Sequence, residues 1–134
     1  MIGRLPEDAE LLAAARAARA SAYAPYSNFA VGAALACEDG TVMLGCNVEN
    51  ASLGLSMCAE RSAVFGAVAS GRRRFVSIAV AGPDGATAAP CGACRQVLAE
   101  FGDDTRLLYA AGDRYEATTV GALLPAAFRL TGPS

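Results

Sequence analysis

Two short stretches of this chain carry groups able to hold a metal ion. In P-C-G-A-C, Cys91 and Cys94 stand three residues apart, so a helix opening at Pro90 places both sulfurs on one side of its first turn. In C-A-E-R, Cys58 sits in the first turn of a second helix, with Glu60 and Arg61 just after it. Free amide groups and the positive dipole end at a helix start lower a thiol's pKa, and zinc binds thiolates. Alone, the C-x-x-C pair also fits a redox dithiol or half of a structural zinc knuckle. The third thiol adds a different possibility. Structural zinc usually takes four protein ligands, whereas three ligands plus water leave the open position that a hydrolase requires. Cys58, Cys91 and Cys94 supply three.

Glu60 gives that open position a use. Zinc brings the pKa of a bound water near neutrality, and an adjacent carboxylate can accept its proton and pass it on. In a deaminase the resulting hydroxide attacks C4 of cytosine while the glutamate protonates N3 and then the leaving ammonia. Cys58 and Glu60 point apart on the helix cylinder, yet both can reach a ligand near the helix end. Three thiolates on a dication leave a net charge of −1, and Arg61 is placed to offset it. Gln96 is a candidate donor to a ligand sulfur. A surface helix glutamate and a surface arginine are the plain alternatives for Glu60 and Arg61. The chain has no His, and all eleven of its basic residues are Arg. Schiff-base chemistry by lysine and histidine acid–base catalysis are therefore both excluded.

The elements that must position these groups follow from pattern. A first helix is expected from Pro6, with acidic Glu7 and Asp8 at its start, to about Ser21. Residues 24–28 read as a loop. Two apolar runs, 29–37 and 42–48, flank Asp39-Gly40 and read as an antiparallel hairpin. Ser56 is a plausible N-cap for a helix that stops at Gly71. A buried-type strand at 75–81, a helix from Pro90 to Gly102 and a strand at 105–110 make a right-handed parallel crossover. The four-residue link A-G-D-R then favours an antiparallel last strand at 115–118. A short helix at 120–124 and an unstructured tail complete the reading. The fold class is α/β: a three-layer α/β/α sandwich with a mixed five-stranded sheet, read as one domain over residues 1–134.

Composition narrows the partners. The chain has 134 residues, 54% hydrophobic and 18% charged, with a net charge of −2, so it lacks the positive field that drives phosphate-backbone binding. The Arg72–Arg74 cluster reads as a solvated turn after a helix end. No apolar run is long enough to span a bilayer, and the start lacks the order of a secretory signal, so a cytoplasmic location is the default expectation. Five cysteines in such a chain argue against a disulfide framework, and Cys37 and Cys46 read as small buried hydrophobes.

Three further stretches complete the pattern: A-Y-A-P-Y-S-N-F-A-V-G-A-A-L at 22–35, G-C-N-V-E-N-A-S at 45–52 and L-L-P-A-A-F at 123–128. With C-A-E-R and P-C-G-A-C-R-Q, they make the chain resemble, in order and over nearly its whole length, the small homotetrameric cytidine deaminases of the three-cysteine zinc type. The three-cysteine site is a known variant of the zinc-deaminase signature H-x-E then P-C-x-x-C. The resemblance implies hydrolysis of cytidine and deoxycytidine to uridine and deoxyuridine in pyrimidine salvage, with one Zn²⁺ per chain. It implies that Asn47 and Glu49 bind the ribose hydroxyls, that Phe29 packs on the pyrimidine, and that the Ala59 backbone meets the base edge. Phe128 would reach the pocket of a neighbouring subunit, in a tetramer with active sites near its interfaces. Strand alternation would turn Asn47 and Glu49 to one side, as a shared ribose requires. From composition alone, N-V-E-N fits a strand-ending turn. Leu53 departs from the family pattern, which usually has an aromatic there. The alternatives are a deaminase of a related nucleoside such as blasticidin S, a polynucleotide-editing deaminase, and a zinc or redox module without catalysis. Glu60 discriminates against the last.

Overall fold

The computed structural model describes residues 3–130. Helix α1 spans Asp8–Ala18 and passes into a 3₁₀ turn at Arg19–Ser21. It begins two residues after the expected Pro6 because Glu7 is the N-cap, and the Glu10 carboxylate accepts from the Glu7 N–H at 3.0 Å. Strands β1 (Gly32–Cys37) and β2 (Val42–Cys46) form the expected hairpin, with Gly40 at φ +89° in its turn. Helix α2 (Ala59–Ala69), strand β3 (Phe75–Ala81), helix α3 (Gly92–Ala99) and strand β4 (Arg106–Ala111) follow. Strand β5 (Arg114–Thr119) leads directly into α4 (Val120–Leu123).

The five strands make one mixed sheet in the order β2-β1-β3-β4-β5. Only β3 and β4 are parallel, joined through α3; the last pair is antiparallel, as its short link requires. Alternation along β1 divides the core into two layers. Ala34 and Ala36 face α1 through Leu11, Leu12 and Ala15. Ala33 and Leu35 face the other way, toward Ala59, Ala63 and Val64 of α2 and Leu98 of α3. Every residue of β1 is buried, which suits its run of small side chains between two helical layers.

Two glycines let the helices lie close to this sheet. A Cβ on Gly32 would stand 2.0 Å from the Ala15 carbonyl oxygen, and one on Gly45 would stand 2.3 Å from the Ala59 carbonyl oxygen and 2.6 Å from the Ala63 nitrogen. No larger residue fits either position without moving backbone. Gly45 therefore sets the height of the start of α2 above the sheet, where C-A-E-R lies.

Strand β1 starts three residues later than expected and β2 ends two residues earlier. The reason is local: the Asn47 side chain intervenes where a ladder would continue. Its amide donates to the Phe29 carbonyl at 2.7 Å and its oxygen accepts from the Val31 N–H at 2.9 Å. Beyond β2 the chain stays extended, since Val48 bridges Tyr23 on one side and Met57 on the other. Cys37 is buried as expected, whereas Cys46 is only half-buried. From Leu124 to Leu130 the backbone is irregular, and the rest of the expected tail, residues 131–134, lies outside the described residues. Among the described residues, no helix is long and apolar enough to cross a membrane.

Candidate metal centre and active site

The two helix starts meet at the sheet end where β3 leads toward α3. Cys58 is the N-cap of α2 and Cys91 the N-cap of α3, each with extended backbone and no side-chain capping bond. This corrects two expectations, a cap at Ser56 and a helix beginning at Pro90. The Ser56 hydroxyl instead accepts from the Asn50 N–H at 3.1 Å. A thiol at an N-cap is free to turn outward along the helix axis, toward the positive dipole end. Cys94 lies within the first turn of α3, fully buried.

The three sulfurs lie within 4.8 Å of one another, with Cys58 Sγ 3.8 Å and Cys94 Sγ 3.4 Å from Cys91 Sγ. Tetrahedral zinc with Zn–S bonds of about 2.3 Å holds its sulfurs about 3.8 Å apart. The donor set therefore fits a single zinc ion with one position left open. Charge favours it too. Hydrogen bonding from the Cys94 thiol, then from the Arg61 guanidinium, brings the Cys58 thiol down to about 5. The Arg61 Nη2 donates to Cys58 Sγ at 3.2 Å. Cys94 moves the opposite way, because its proton is held by Cys58 and its surroundings are buried. Cys58 is thus favoured as a thiolate, the form in which a cysteine binds zinc. The Arg61 Nε is also buried and has no hydrogen-bond partner among the described residues.

A cavity of about 290 Å³ opens in front of the sulfurs. Its lining includes Cys58, Cys91, Ala59, Glu60, Phe29, Asn47 and Glu49, so residues distant in sequence converge on one space. Glu60 is buried, and that burial, reinforced by the Cys58 thiolate, raises its carboxyl above the ordinary range. A carboxyl so placed takes up a proton more readily than a solvated one.

Asn47 and Glu49 do not lie on a ladder strand, yet the extended backbone through Val48 brings both to the cavity wall. Each also has internal work. Asn47 holds the Phe29–Val31 backbone as described above. The Glu49 carboxylate accepts from the Tyr26 N–H at 2.9 Å, the Ser27 N–H at 3.1 Å and the Ser27 hydroxyl. The hydroxyl contact is the first cause of a lowered carboxyl pKa.

Gln96 takes a partner other than the expected sulfur. The Gln96 amide donates to the Phe128 carbonyl at 2.9 Å and not to a sulfur, because α3 turns it away from the thiols toward the C-terminal strap. Phe128 lies outside the cavity and is 70% exposed. Leu53 is also exposed, in a 3₁₀ turn before α2. The cavity has further walls that the sequence did not reveal: Val31, Met57, Val80, Thr87 and Ala88. Val80 had a usable signal. Ligand crevices in α/β sheets lie beyond the carboxyl ends of parallel strands.

The chain matches the family model for the cytidine and deoxycytidylate deaminase zinc-binding region over residues 5–111. It is 49% identical over 122 residues to a cytidine deaminase of Sporosarcina psychrophila, covering 89% of each protein. It is 52% identical over 114 residues to one of Halalkalibacterium halodurans, covering 83% of this chain and 86% of that protein. The crystal structure of a cytidine deaminase from Burkholderia pseudomallei superposes with a TM-score of 0.85 at 52% identity, covering 92% of this chain and all of the other. That of Mycobacterium tuberculosis gives 0.81 at 44% identity, covering 93% and all of it.

Proposed function

The chain belongs to the cytidine and deoxycytidylate deaminase family, and on that premise we infer that it is a zinc-dependent hydrolase converting cytidine and water to uridine and ammonia. The observation that carries this reading is a cluster of three thiols, with room for one zinc ion, two of which line a single cavity together with a buried carboxyl.

Cys58, Cys91 and Cys94 hold the zinc, which when bound supplies the Lewis acid that lets water attack C4 at neutral pH. Glu60 moves the protons. It accepts one proton as the water attacks and gives it to N3 of the ring, then takes the second from the new C4 hydroxyl and passes it to the departing amine, so that ammonia leaves as the C4 carbonyl forms. Its buried position favours this, since burial raises its carboxyl pKa and makes it a readier proton acceptor than a solvated carboxylate. Arg61 offsets the excess negative charge of three thiolates through its contact with Cys58. Phe29 packs on the pyrimidine, and the Ala59 backbone at the start of α2 meets the base edge. Asn47 retains an amide hydrogen and a lone pair beyond its internal bonds, and with Glu49 it binds the ribose hydroxyls. A site built on such bonds rejects ligands that lack the hydroxyls. A free base is then a poor substrate.

The same reading extends to deoxycytidine, to a place in pyrimidine salvage, to a cytoplasmic location, and to residues 1–134 as one deaminase domain. It also includes a homotetramer in which Phe128 enters a neighbouring subunit's cavity. Exposed apolar side chains support association: Leu44, Leu53, Leu55, Phe65 and Phe128. The Phe128 backbone is held by Gln96, which suits presentation of its ring outward.

The test is direct. Purified protein should carry one zinc per chain and release ammonia from cytidine. Stoichiometric zinc with no ammonia from cytidine or deoxycytidine refutes the activity, and a monomer by light scattering refutes the assembly.

A further inference from the structure

Gly82 lies just beyond β3 and outside the cavity lining, yet it stands beside the outer edge of the Phe29 ring. A Cβ built on Gly82 would lie 3.2 Å from Phe29 Cε1, 3.3 Å from Cζ and 3.5 Å from Ala88 Cβ. The two ring contacts are tighter than ordinary packing, so the ring must give by a few tenths of an ångström, whereas the Ala88 contact is an ordinary one. Ala88 is buried, whereas Phe29 is 42% exposed and lines the cavity. Phe29 is therefore the side chain that would yield, and because it lines the cavity its displacement alters the cavity wall. Gly82 does not have a positive φ, so glycine is not required there by backbone conformation. Its missing side chain matters through Phe29.

Gly82 is itself held from behind. The Arg19 Nη1 donates to the Gly82 carbonyl at 2.6 Å and to the Asp84 carboxylate at 3.0 Å, while its Nε donates to the Arg16 carbonyl at 3.0 Å. Arg19 is fixed in turn by the close seating of the α1 end on β1, since a Cβ on Gly32 would come 2.8 Å from the Arg19 nitrogen. Hydrogen bonds thus tie the end of α1 to the Gly82 backbone, and Gly82 adjoins the edge of an aromatic ring in the cavity wall. We propose that Arg19 and Gly82 are positioning residues that set the place of the Phe29 ring, and with it the width of the slot that receives the pyrimidine. The proposal rests on the reading of Phe29 as the residue that packs on the base. Neither residue touches the reacting atoms.

Their signature is a change in KM with kcat preserved, because the sulfurs and Glu60 lie on other elements. Gly82→Ala should raise KM for cytidine roughly three- to tenfold, the scale of one aromatic packing contact, with kcat within about twofold. Arg19→Ala should raise KM in the same direction, and Arg19→Lys, which keeps a cation able to reach the carbonyl, should recover most of the loss. The deciding measurement is a double-mutant cycle on cytidine KM with Phe29→Ala, run on zinc-loaded protein of confirmed fold. If Gly82 acts through the ring, Gly82→Ala costs nothing further once Phe29 is alanine. An undiminished effect in the Phe29→Ala background, or a Gly82→Ala enzyme with wild-type KM, overturns the proposal while the role of Phe29 stands. A Phe29→Ala enzyme with wild-type KM overturns both. A loss of kcat in folded, zinc-replete Gly82→Ala also refutes the positioning role, since it would place the effect at the metal side of the cavity.

Discussion

Replacing Gly45 with alanine tests whether the seating of α2 on the sheet controls catalysis. The added methyl would meet the Ala59 carbonyl oxygen at 2.3 Å, the Ala63 nitrogen at 2.6 Å and the Ala63 Cβ at 2.9 Å. The closest contact falls about 1 Å short of ordinary van der Waals distance, and all three belong to the first turns of α2. Two are backbone atoms, so no side-chain rotation relieves them. The helix start must lift or tilt by about 1 Å, and it carries Cys58, Ala59, Glu60 and Arg61 with it. Overpacking of this kind costs about 1–3 kcal/mol in stability. A displacement of about 1 Å in reacting groups costs roughly 100-fold in rate. Gly45→Ala should therefore fold with a lowered Tm and lose about 100-fold in kcat for cytidine, with weaker zinc retention. Gly32→Ala is the control. It creates a collision at least as close with α1 on the opposite face, where a Cβ would lie 2.0 Å from the Ala15 carbonyl oxygen, so it should cost at least comparable stability and far less kcat. Thermal denaturation, zinc per chain and steady-state deamination distinguish the two. A Gly45→Ala enzyme with wild-type kcat and full zinc would show that the α2 start tolerates displacement, and the reasoning would fail.

Other perturbations probe the site more directly. Glu60→Gln should keep its zinc and lose about 10²–10⁴-fold in kcat, the usual scale of proton transfer by a positioned side chain; near-normal turnover would remove the proton role. Cys94→Ser should lower bound zinc per chain and activity together, since a serine hydroxyl is a poor replacement for a buried thiolate. Glu49 gives a pH prediction. The Ser27 hydroxyl, followed by the Ser27 and Tyr26 N–H groups, lowers its folded carboxyl pKa. Its contribution is then fully present above the unfolded carboxyl pKa and is lost as pH falls through the lowered folded value. Tm should drop less steeply between neutral and acid pH in Glu49→Gln than in wild type, and parallel Tm–pH curves would count against the network.

The sequence made the elements legible because each has a local cause: Asp39-Gly40 for the hairpin, Gly71 for the end of α2, and the short link before β5 for antiparallel pairing. Boundaries shifted where a side chain took over from the ladder or the helix. Asn47 ended one strand and delayed another by bonding across to residues 29 and 31, which no periodicity reveals. Cys58 and Cys91 moved from the first helical turn to the cap for a related reason. A cap residue is chosen by the chain's approach to the helix, and tertiary packing sets that approach. Gln96 shows the limit most plainly: its type suited a bond to sulfur, but the facing surface of α3 belonged to the C-terminal strap.

Spacing could place three thiols and a carboxyl at two helix starts, but only the fold could bring those starts together. That step depends on residues without chemistry of their own. Gly45 lowers α2 toward β2, Gly32 lets α1 approach β1, and Gly82 leaves room beside Phe29. Such glycines carry no pattern in a single sequence, because what they contribute is the absence of a side chain at a contact between distant segments. The reactive groups identify the reaction. The distances at which it proceeds are set by the residues that keep out of the way.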